Sequence, residues 1–284
     1  FCIHCNAWKG QYGLEPTPSD YVSHSLLWAK EAWRVLRNDG IFFLNIADSY
    51  GTVSGSMGKG KWNAPKLSDE QNASMPEKPV LNMRKCQFLI PHRVAIALVD
   101  AGWTLRNTII WHKPNAMPES VTDRFSNKYE YIFMFTKQEK YYFDLDSIKE
   151  PCIDQERLKR RLVNPDTVRI MANSGDNKVS FLNPKTAEAT RSRLLKYGKN
   201  PGDIWNIPTQ PSSEKHYAMW PERLVERMVR CSTKAGDVVI DPFAGSATTL
   251  KVSEQLHRKG IGIDLGYHEI SKRRTSKIQK ELFV

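Results

Sequence analysis

Apolar and polar positions fall along this chain in blocks that predict alternating helices and strands. Starting from Ser19 or Asp20, either able to cap a helix, the residues Tyr21, Leu27, Ala32, Val35 and Leu36 follow a helical apolar face. Asn38-Asp39-Gly40 stops that helix, and Ile41 to Ile46 reads as a buried strand directly after the turn. A second helix is predicted from Pro91 to Ala101, ended by Gly102, with strands over Thr104 to Trp111 and Tyr129 to Thr136. After Lys137-Gln138-Glu139-Lys140, Tyr141 to Leu145 is expected to return as the partner of that last strand in an antiparallel hairpin. Near the C-terminus come a helix over Pro221 to Val229 and a short buried strand over Val238 to Ile240. A helix over Ala247 to Leu256 and a strand over Gly260 to Asp264 follow. No internal repeat is apparent.

Between these blocks lie stretches without periodicity. Residues Gly10 to Pro18 read as a loop, and Thr52 to Pro79, rich in Gly, Ser, Lys and Pro, as a long one. From Pro151 to Gly202 basic and polar residues dominate, among them Arg157, Arg160, Arg161, Lys185 and Arg193. That segment reads as an insertion, either a solvated basic loop or an element that touches a polyanion. The expected division is therefore 1–150, an insertion over 151–202, and 203–284.

The 284 residues are 40% hydrophobic and 26% charged, values of a soluble domain able to build a sizeable core. No apolar run reaches the ~18 residues that a membrane span needs, and no secretory signal opens the chain. It begins with Phe1 rather than Met, as a processed chain or a fragment would. The net charge of +11 suits nucleic acid, although a soluble basic protein without such a partner carries the same sign. Cys2, Cys5, Cys86, Cys152 and Cys231 are odd in number and scattered, which points to a reducing cytoplasm rather than to a disulfide framework. Cys2 and Cys5 form a Cys-x-x-Cys, half of a zinc donor set with no second half in view; a frayed terminus is the alternative, and no other metal site is expected.

The most informative stretch is Gly236-Asp237-Val238-Val239-Ile240-Asp241-Pro242-Phe243-Ala244-Gly245-Ser246-Ala247-Thr248-Thr249. A strand enters a turn of small residues and then a helix, so backbone amides can approach a ligand closely at a helix N-terminus that favours negative charge. The next strand ends in Asp264, 19 residues after Gly245 (264 − 245), a spacing suited to ribose hydroxyls. A full Gly-x-Gly-x-x-Gly is missing, which argues against a nicotinamide dehydrogenase.

Asp241 to Thr249, DPFAGSATT, resembles the DPFAGSGTT motif of the DNA amino-methyltransferases, in the permuted group that carries this motif near the C-terminus. GLEPTPSDYV at Gly13 to Val22, RVLRNDGIFFLNIADSY at Arg34 to Tyr50 and IIWHKPNAMPESVTDRF at Ile109 to Phe125 are similar to further segments of that family. So are YEYIFMFTK at Tyr129 to Lys137, YYFDLDSIKEP at Tyr141 to Pro151, IWNIPTQP at Ile204 to Pro211 and HYAMWPERLVERMV at His216 to Val229. The resemblance covers nearly the whole chain outside 151–202. It implies a Rossmann-like S-adenosylmethionine-dependent methyltransferase fold, α/β, with a mostly parallel sheet, an antiparallel hairpin and an inserted target-recognition segment. It further implies transfer of a methyl group from S-adenosyl-L-methionine to cytosine N4 or adenine N6 of a base flipped out of double-stranded DNA. A cognate restriction endonuclease is an implied companion.

Carried over by position, Asp241, Phe243, Ala244, Gly245 and Ser246 would line the methionine and adenine side of the cofactor, and Asp264 would hold its ribose. The segment from His216 to Pro221 would lie beside the methionine moiety. A capping role for Asp241 and a core position for Phe243 are the plainer alternatives. Ala247 stands where the family usually has Gly. It would crowd the turn at positive φ, and is expected instead to begin the helix, where Ala is harmless.

The family's catalytic motif, Asp, Ser or Asn before Pro-Pro-Tyr or Pro-Pro-Phe, occurs nowhere in the chain and is expected upstream of Phe1. Lys113, Arg124 and the 52–79 loop are candidates for phosphate contacts, and 151–202 for reading sequence. Glu130 interrupts an apolar strand where a family acid often follows a His, here Tyr129. It faces the base pocket or pairs with a nearby Lys. An RNA or small-molecule methyltransferase, and a DNA- and cofactor-binding fragment without turnover, are the rival readings.

Overall fold

The computed structural model describes residues 10, 12–51, 85–151, 189, 192, 194–210 and 220–264. The chain divides into two compact units, Phe1–Tyr142 with Asp203–Thr209, and Phe143–Gly202 with Gln210–Val284.

In the first unit, α1 spans Pro18–Val35. Its cap is Thr17, not Ser19 or Asp20: the Thr17 hydroxyl accepts from the Asp20 amide (3.1 Å) and donates to the Asp20 carboxylate (2.7 Å). Pro18 starts the helix because its ring presets φ and its missing N–H costs nothing there. The strand β1, Ile41–Ile46, follows as expected. Helix α2 spans Ile90–Asp100. Strands β2, Thr104–His112, and β3, Tyr129–Thr136, complete the central part.

The sheet order is β1-β3-β2-β4, with β4 the short strand Ile204–Asn206. The strand β3 is antiparallel to both β1 and β2, and β2 is parallel to β4. Hence β1, β2 and β4 share one direction, and only β3 opposes them within this sheet. Ile132 to Thr136 are all buried, and Ile132 to Phe135 form the continuous apolar run expected of a strand covered on both faces. The core gathers Ala29, Val94, Leu98, Phe133 and Phe135 around Trp103, which meets Trp33 edge-on at 4.8 Å.

The expected hairpin between Tyr129–Thr136 and Tyr141–Leu145 is not formed. Both edges of β3 are already taken by β1 and β2, so no edge is left for a returning strand. Instead the Tyr142 amide donates to Asp39 O (2.9 Å), the Asp144 amide to Cys231 O (2.8 Å), and Asp146–Ile148 form a 3₁₀ turn.

The second unit holds α3, Glu222–Ser232, β5, Val238–Asp241, α4, Thr248–Gln255, and β6, Lys259–Gly262. The strands β5 and β6 pair in parallel. Leu224, Val225, Met228 and Val229 form the buried stripe of α3, and Lys251 of α4 reaches Glu222 at its start (2.7 Å). The strand read as buried is covered on one side only: Val238 is 57% exposed and Ile240 43%. Its side chains alternate between two faces.

Glu150 and Lys199 exchange two backbone hydrogen bonds, 2.9 and 2.8 Å, and the Glu150 carboxylate pairs with Arg227 of α3. Gly198 beside them has φ +80°, and a Cβ there would come within 2.5 Å of Glu150 O.

Candidate functional site

The glycine-rich stretch folds as strand, turn and helix around two carboxylates. Asp241 closes β5. Its Oδ1 accepts from the Phe243 amide (3.0 Å), and its Oδ2 accepts from the Thr249 hydroxyl in the first turn of α4 (2.6 Å). Asp241 thus braces the turn from both ends, but not as a helix cap: α4 has no side-chain cap bond, and Asp241 takes the Thr249 hydroxyl rather than a helix amide. Asp264, two residues past the end of β6, accepts from the Gly245 amide through Oδ2 at 3.0 Å. The Ala244 amide donates to Ile263 O at 3.0 Å, which holds the turn on the neighbouring strand. Ser246 is buried, and Phe243 is 54% exposed and so outside the core.

Ala247 departs from its expected conformation. It lies at φ +63°, ψ 32°, in the left-handed region, and is the N-cap of α4 rather than its first residue. The cause is the turn itself: the Ala247 amide reaches back to Ala244 O (2.8 Å) while its own carbonyl accepts from Lys251 (3.0 Å). An L residue there costs about 1–2 kcal/mol relative to right-handed backbone.

Gly262 of β6 fits the turn from below. A Cβ at this position would lie 2.8 Å from the Ala244 Cβ and 2.7 Å from Leu250 Cδ1. The turn therefore sits on the strand at a spacing only glycine permits. Pro221, the N-cap of α3, is buried. His216, Cys2, Cys5, most of 151–202 and the 52–79 loop lie outside the described residues. Among the described residues no group of three His, Cys, Asp or Glu could hold a metal ion, and no helix is long and apolar enough to cross a membrane.

In the first unit Lys113 is ion-paired with Glu130, and its ammonium lies 4.4 Å from the centroid of the Trp111 ring. Of the two alternatives for Glu130, pairing with a Lys is the one present. Arg124 bonds the Glu119 carboxylate (2.8 Å) and the Phe125 carbonyl (2.9 Å), and its guanidinium lies 4.2 Å from the centroid of the Tyr50 ring. Both basic residues are thus fixed by their own surroundings. Asn115 and Thr209 pair reciprocally, with Asn115 Nδ2 donating to Thr209 O (2.9 Å) and the Thr209 amide to Asn115 Oδ1 (2.8 Å).

One cluster escaped the reading of the sequence. Near the carboxyl end of β1 the His92 and Tyr131 rings meet edge-on at 4.7 Å, and the charge of Asp48 reaches the Tyr131 phenol. Asp48 Oδ1 accepts the first amide of α2, from Ile90, at 3.0 Å. An acid two residues past an apolar strand was the available signal.

Comparison with known proteins agrees over the same span. The DNA methylase family model, of the N6 and N4 methyltransferases, matches residues 6–273. The Type II methyltransferase M.Cfr9I of Citrobacter freundii is 35% identical over 257 residues, covering 90% of this chain and 70% of that protein. M.SmaI of Serratia marcescens is 33% identical over 269 residues, covering 93% and 77%. Among solved structures, the cytosine-N4-specific PvuII DNA methyltransferase superposes with a TM-score of 0.57 at 18% identity, covering 99% of this chain and 80% of that one. A DNA modification methylase of Thermus thermophilus, complexed with S-adenosyl-L-methionine, gives 0.51 at 21%, covering 92% and 78%. These two share the fold. The strand–turn–helix with its two carboxylates, the mixed α/β sheet and the match over residues 6–273 place this chain in the N6/N4 DNA methylase family.

Proposed function

We propose that this protein transfers a methyl group from S-adenosyl-L-methionine to the exocyclic amine of a cytosine or an adenine in double-stranded DNA. The observation that carries this reading is the carboxylate of Asp264 bonded to the Gly245 amide, at the rim of a turn that lies on Gly262. The chemistry there suits the cofactor. A carboxylate beside a turn of small residues offers acceptors for ribose hydroxyls. The start of α4 favours the methionine carboxylate. Asp264 would take the ribose, Phe243, Ala244, Gly245 and Ser246 would flank the adenine and methionine, and His216 and Pro221 would lie on the methionine side. Asp241 would act by holding the turn. Bound there, the cofactor supplies a methyl group on a sulfonium.

The target amine is a weak nucleophile, because its lone pair is delocalised into the ring. Alignment of two bound reactants lowers such a barrier by several kcal/mol. An amine inside a duplex is out of reach, so the base is flipped out at a cost of a few kcal/mol. The basic composition of 151–202 supports a role for that segment in holding and reading DNA, with the phosphates giving a strong salt dependence. The Type II relatives support a companion endonuclease that cuts unmethylated sites.

The test is transfer of tritiated methyl to double-stranded DNA, followed by nucleoside analysis. Label in N4-methylcytosine or N6-methyladenine is expected. Label in RNA or a small molecule alone, with none in DNA, overturns the reading.

A further inference from the structure

The loop that joins β2 to β3, residues 113–128, turns charges inward and apolar side chains outward. Arg124 and Glu119 are half-buried and paired at 2.8 Å. Phe125, the next residue, is 97% exposed, and Met117 on the same loop is 86% exposed. Single apolar residues are common on surfaces, so exposure alone decides nothing. The mount of Phe125 decides more. The Arg124 guanidinium that bonds Glu119 also bonds the Phe125 carbonyl (2.9 Å), and the Glu119 Oε2 that it meets accepts the Asn127 amide (3.3 Å). On the other side Asp123 is tied to Lys85 (2.5 Å). The backbone around Phe125 is therefore fastened before and after the ring, while the ring itself stands in water. Ordering a loop on folding rather than on binding favours affinity for a partner that the ring would meet.

The surroundings point to the kind of partner. Lys113 opens the loop and the exposed Lys128 closes it, and both acids within it, Glu119 and Asp123, already face Arg124 and Lys85. The whole chain carries +11. An apolar ring among cations suits a polyanion that also offers flat apolar faces, which is the description of stacked bases behind phosphates. The loop leaves the carboxyl end of β2, on the side of the sheet where β1 and β4 also end. Ligands of open α/β sheets commonly bind on that side.

Resting on the methyl transfer to a flipped base argued above, we propose that Phe125 is the wedge that enters the duplex where the target base has left. A base that swings out leaves the faces of its two neighbours bare, and the stack closes again unless something fills the gap. Phenylalanine is among the apolar side chains that part base steps. Its ring stacks on the bared faces and holds the gap open, so the flipped state lasts longer. The ring carries no donor or acceptor, and every base has a flat face to offer it. Phe125 therefore acts on how far and how long the target is flipped, and not on which base is chosen. It is a positioning residue: it never touches the methyl group or the amine.

The full-length enzyme is assayed for methyl transfer on duplexes containing the site it methylates, located by sequencing its product. In one duplex the target faces its natural partner. In the other it faces a pyrene, a flat aromatic group that fills the gap from the opposite strand. Phe125→Ala is expected to keep the wild-type melting temperature and to lower transfer about tenfold or more on the natural duplex. On the pyrene duplex it should return to within about threefold of wild type. A fluorescent base analogue at the target, bright when unstacked, should brighten less with Phe125→Ala than with wild type, and Phe125→Trp should restore the signal. Lys128→Ala changes charge alone, so any loss it causes should be the same on both duplexes. Unchanged transfer by Phe125→Ala, or an equal loss on both duplexes, overturns the proposal. An equal loss accompanied by altered sedimentation makes Phe125 a contact between copies of the chain instead. A wild-type enzyme that puts no methyl on DNA is a different failure, and it removes the functional reading together with this one.

Discussion

The amide of Gly245 donates to Oδ2 of Asp264 across 3.0 Å, so the turn after one strand is tied to the acid after its neighbour. In the chain these residues are 19 apart; in the fold they form one rim. Asp264→Ala removes both the tie and the proposed ribose acceptor. The expected result is a loss of about tenfold or more in S-adenosyl-L-methionine affinity by calorimetry, equal to about 1.4 kcal/mol. Unchanged affinity would place the ribose elsewhere.

Asp241 acts on stability first. Asp241→Asn keeps the acceptor for the Phe243 amide but loses the anionic acceptor of the Thr249 hydroxyl. Urea unfolding should show a loss of about 1.5–3 kcal/mol, the range for hydrogen bonds to charged groups. Thr249→Val should lose a similar amount, and the double variant less than the sum.

At Ala247 two effects oppose each other. Ala247→Gly relieves left-handed strain of about 1–2 kcal/mol. It gives back about 0.8 kcal/mol for a buried methyl and about 0.4–1 kcal/mol of unfolded-state entropy. Stability should therefore change by less than about 1 kcal/mol in either direction. Ala247→Val, β-branched at positive φ in a fully buried position, should cost more than about 2 kcal/mol. Equal melting temperatures for the Val variant and wild type would contradict the assigned backbone.

Gly262→Ala inserts a methyl where Ala244 Cβ and Leu250 Cδ1 leave no room. Overpacking of this kind costs about 1–3 kcal/mol. Because Ala244 belongs to the turn, cofactor affinity should fall with stability.

Cys231 is buried, and burial pushes its thiol up to about 12. A raised folded value means its contribution to stability is complete below the ordinary thiol range and is lost as pH climbs toward 12, by at most about 1.4 kcal/mol per pH unit. At pH 8 the native protein should therefore label with a thiol reagent at exposed Cys86 and not at Cys231, read by peptide mass spectrometry. Fast native labelling of Cys231 would show that α3 opens.

Most helices and strands were legible because their signals are local: a 3.6-residue or continuous apolar pattern, a proline at a helix start, a glycine after one. What failed was non-local. The partner of Tyr129–Thr136 is decided by β1 and β2, which occupy both its edges, not by the segment that follows it. The start of α2 is capped from Asp48, 42 residues upstream of Ile90, while its own N-cap Leu89 offers no side-chain bond. In the turn, the DPFAGS string marked the strand, turn and helix that form, but the tie between Gly245 and Asp264 was not read from the spacing, which suggested ribose hydroxyls. The conformation of Ala247 could not be read, because the fold of the turn, rather than the preference of alanine, fixes that φ. Lys113 and Arg124 were read as candidates for phosphate contacts, and the structure pairs them with Glu130 and Glu119.

The paired backbones of Glu150 and Lys199 limit what position 198 can hold. The two backbones meet at one clip within the second unit, fixed to α3 through Arg227 and too tight at Gly198 for any side chain. Glycine is thus the hinge pin of this mount: with any other residue at 198 the two backbones would have to part.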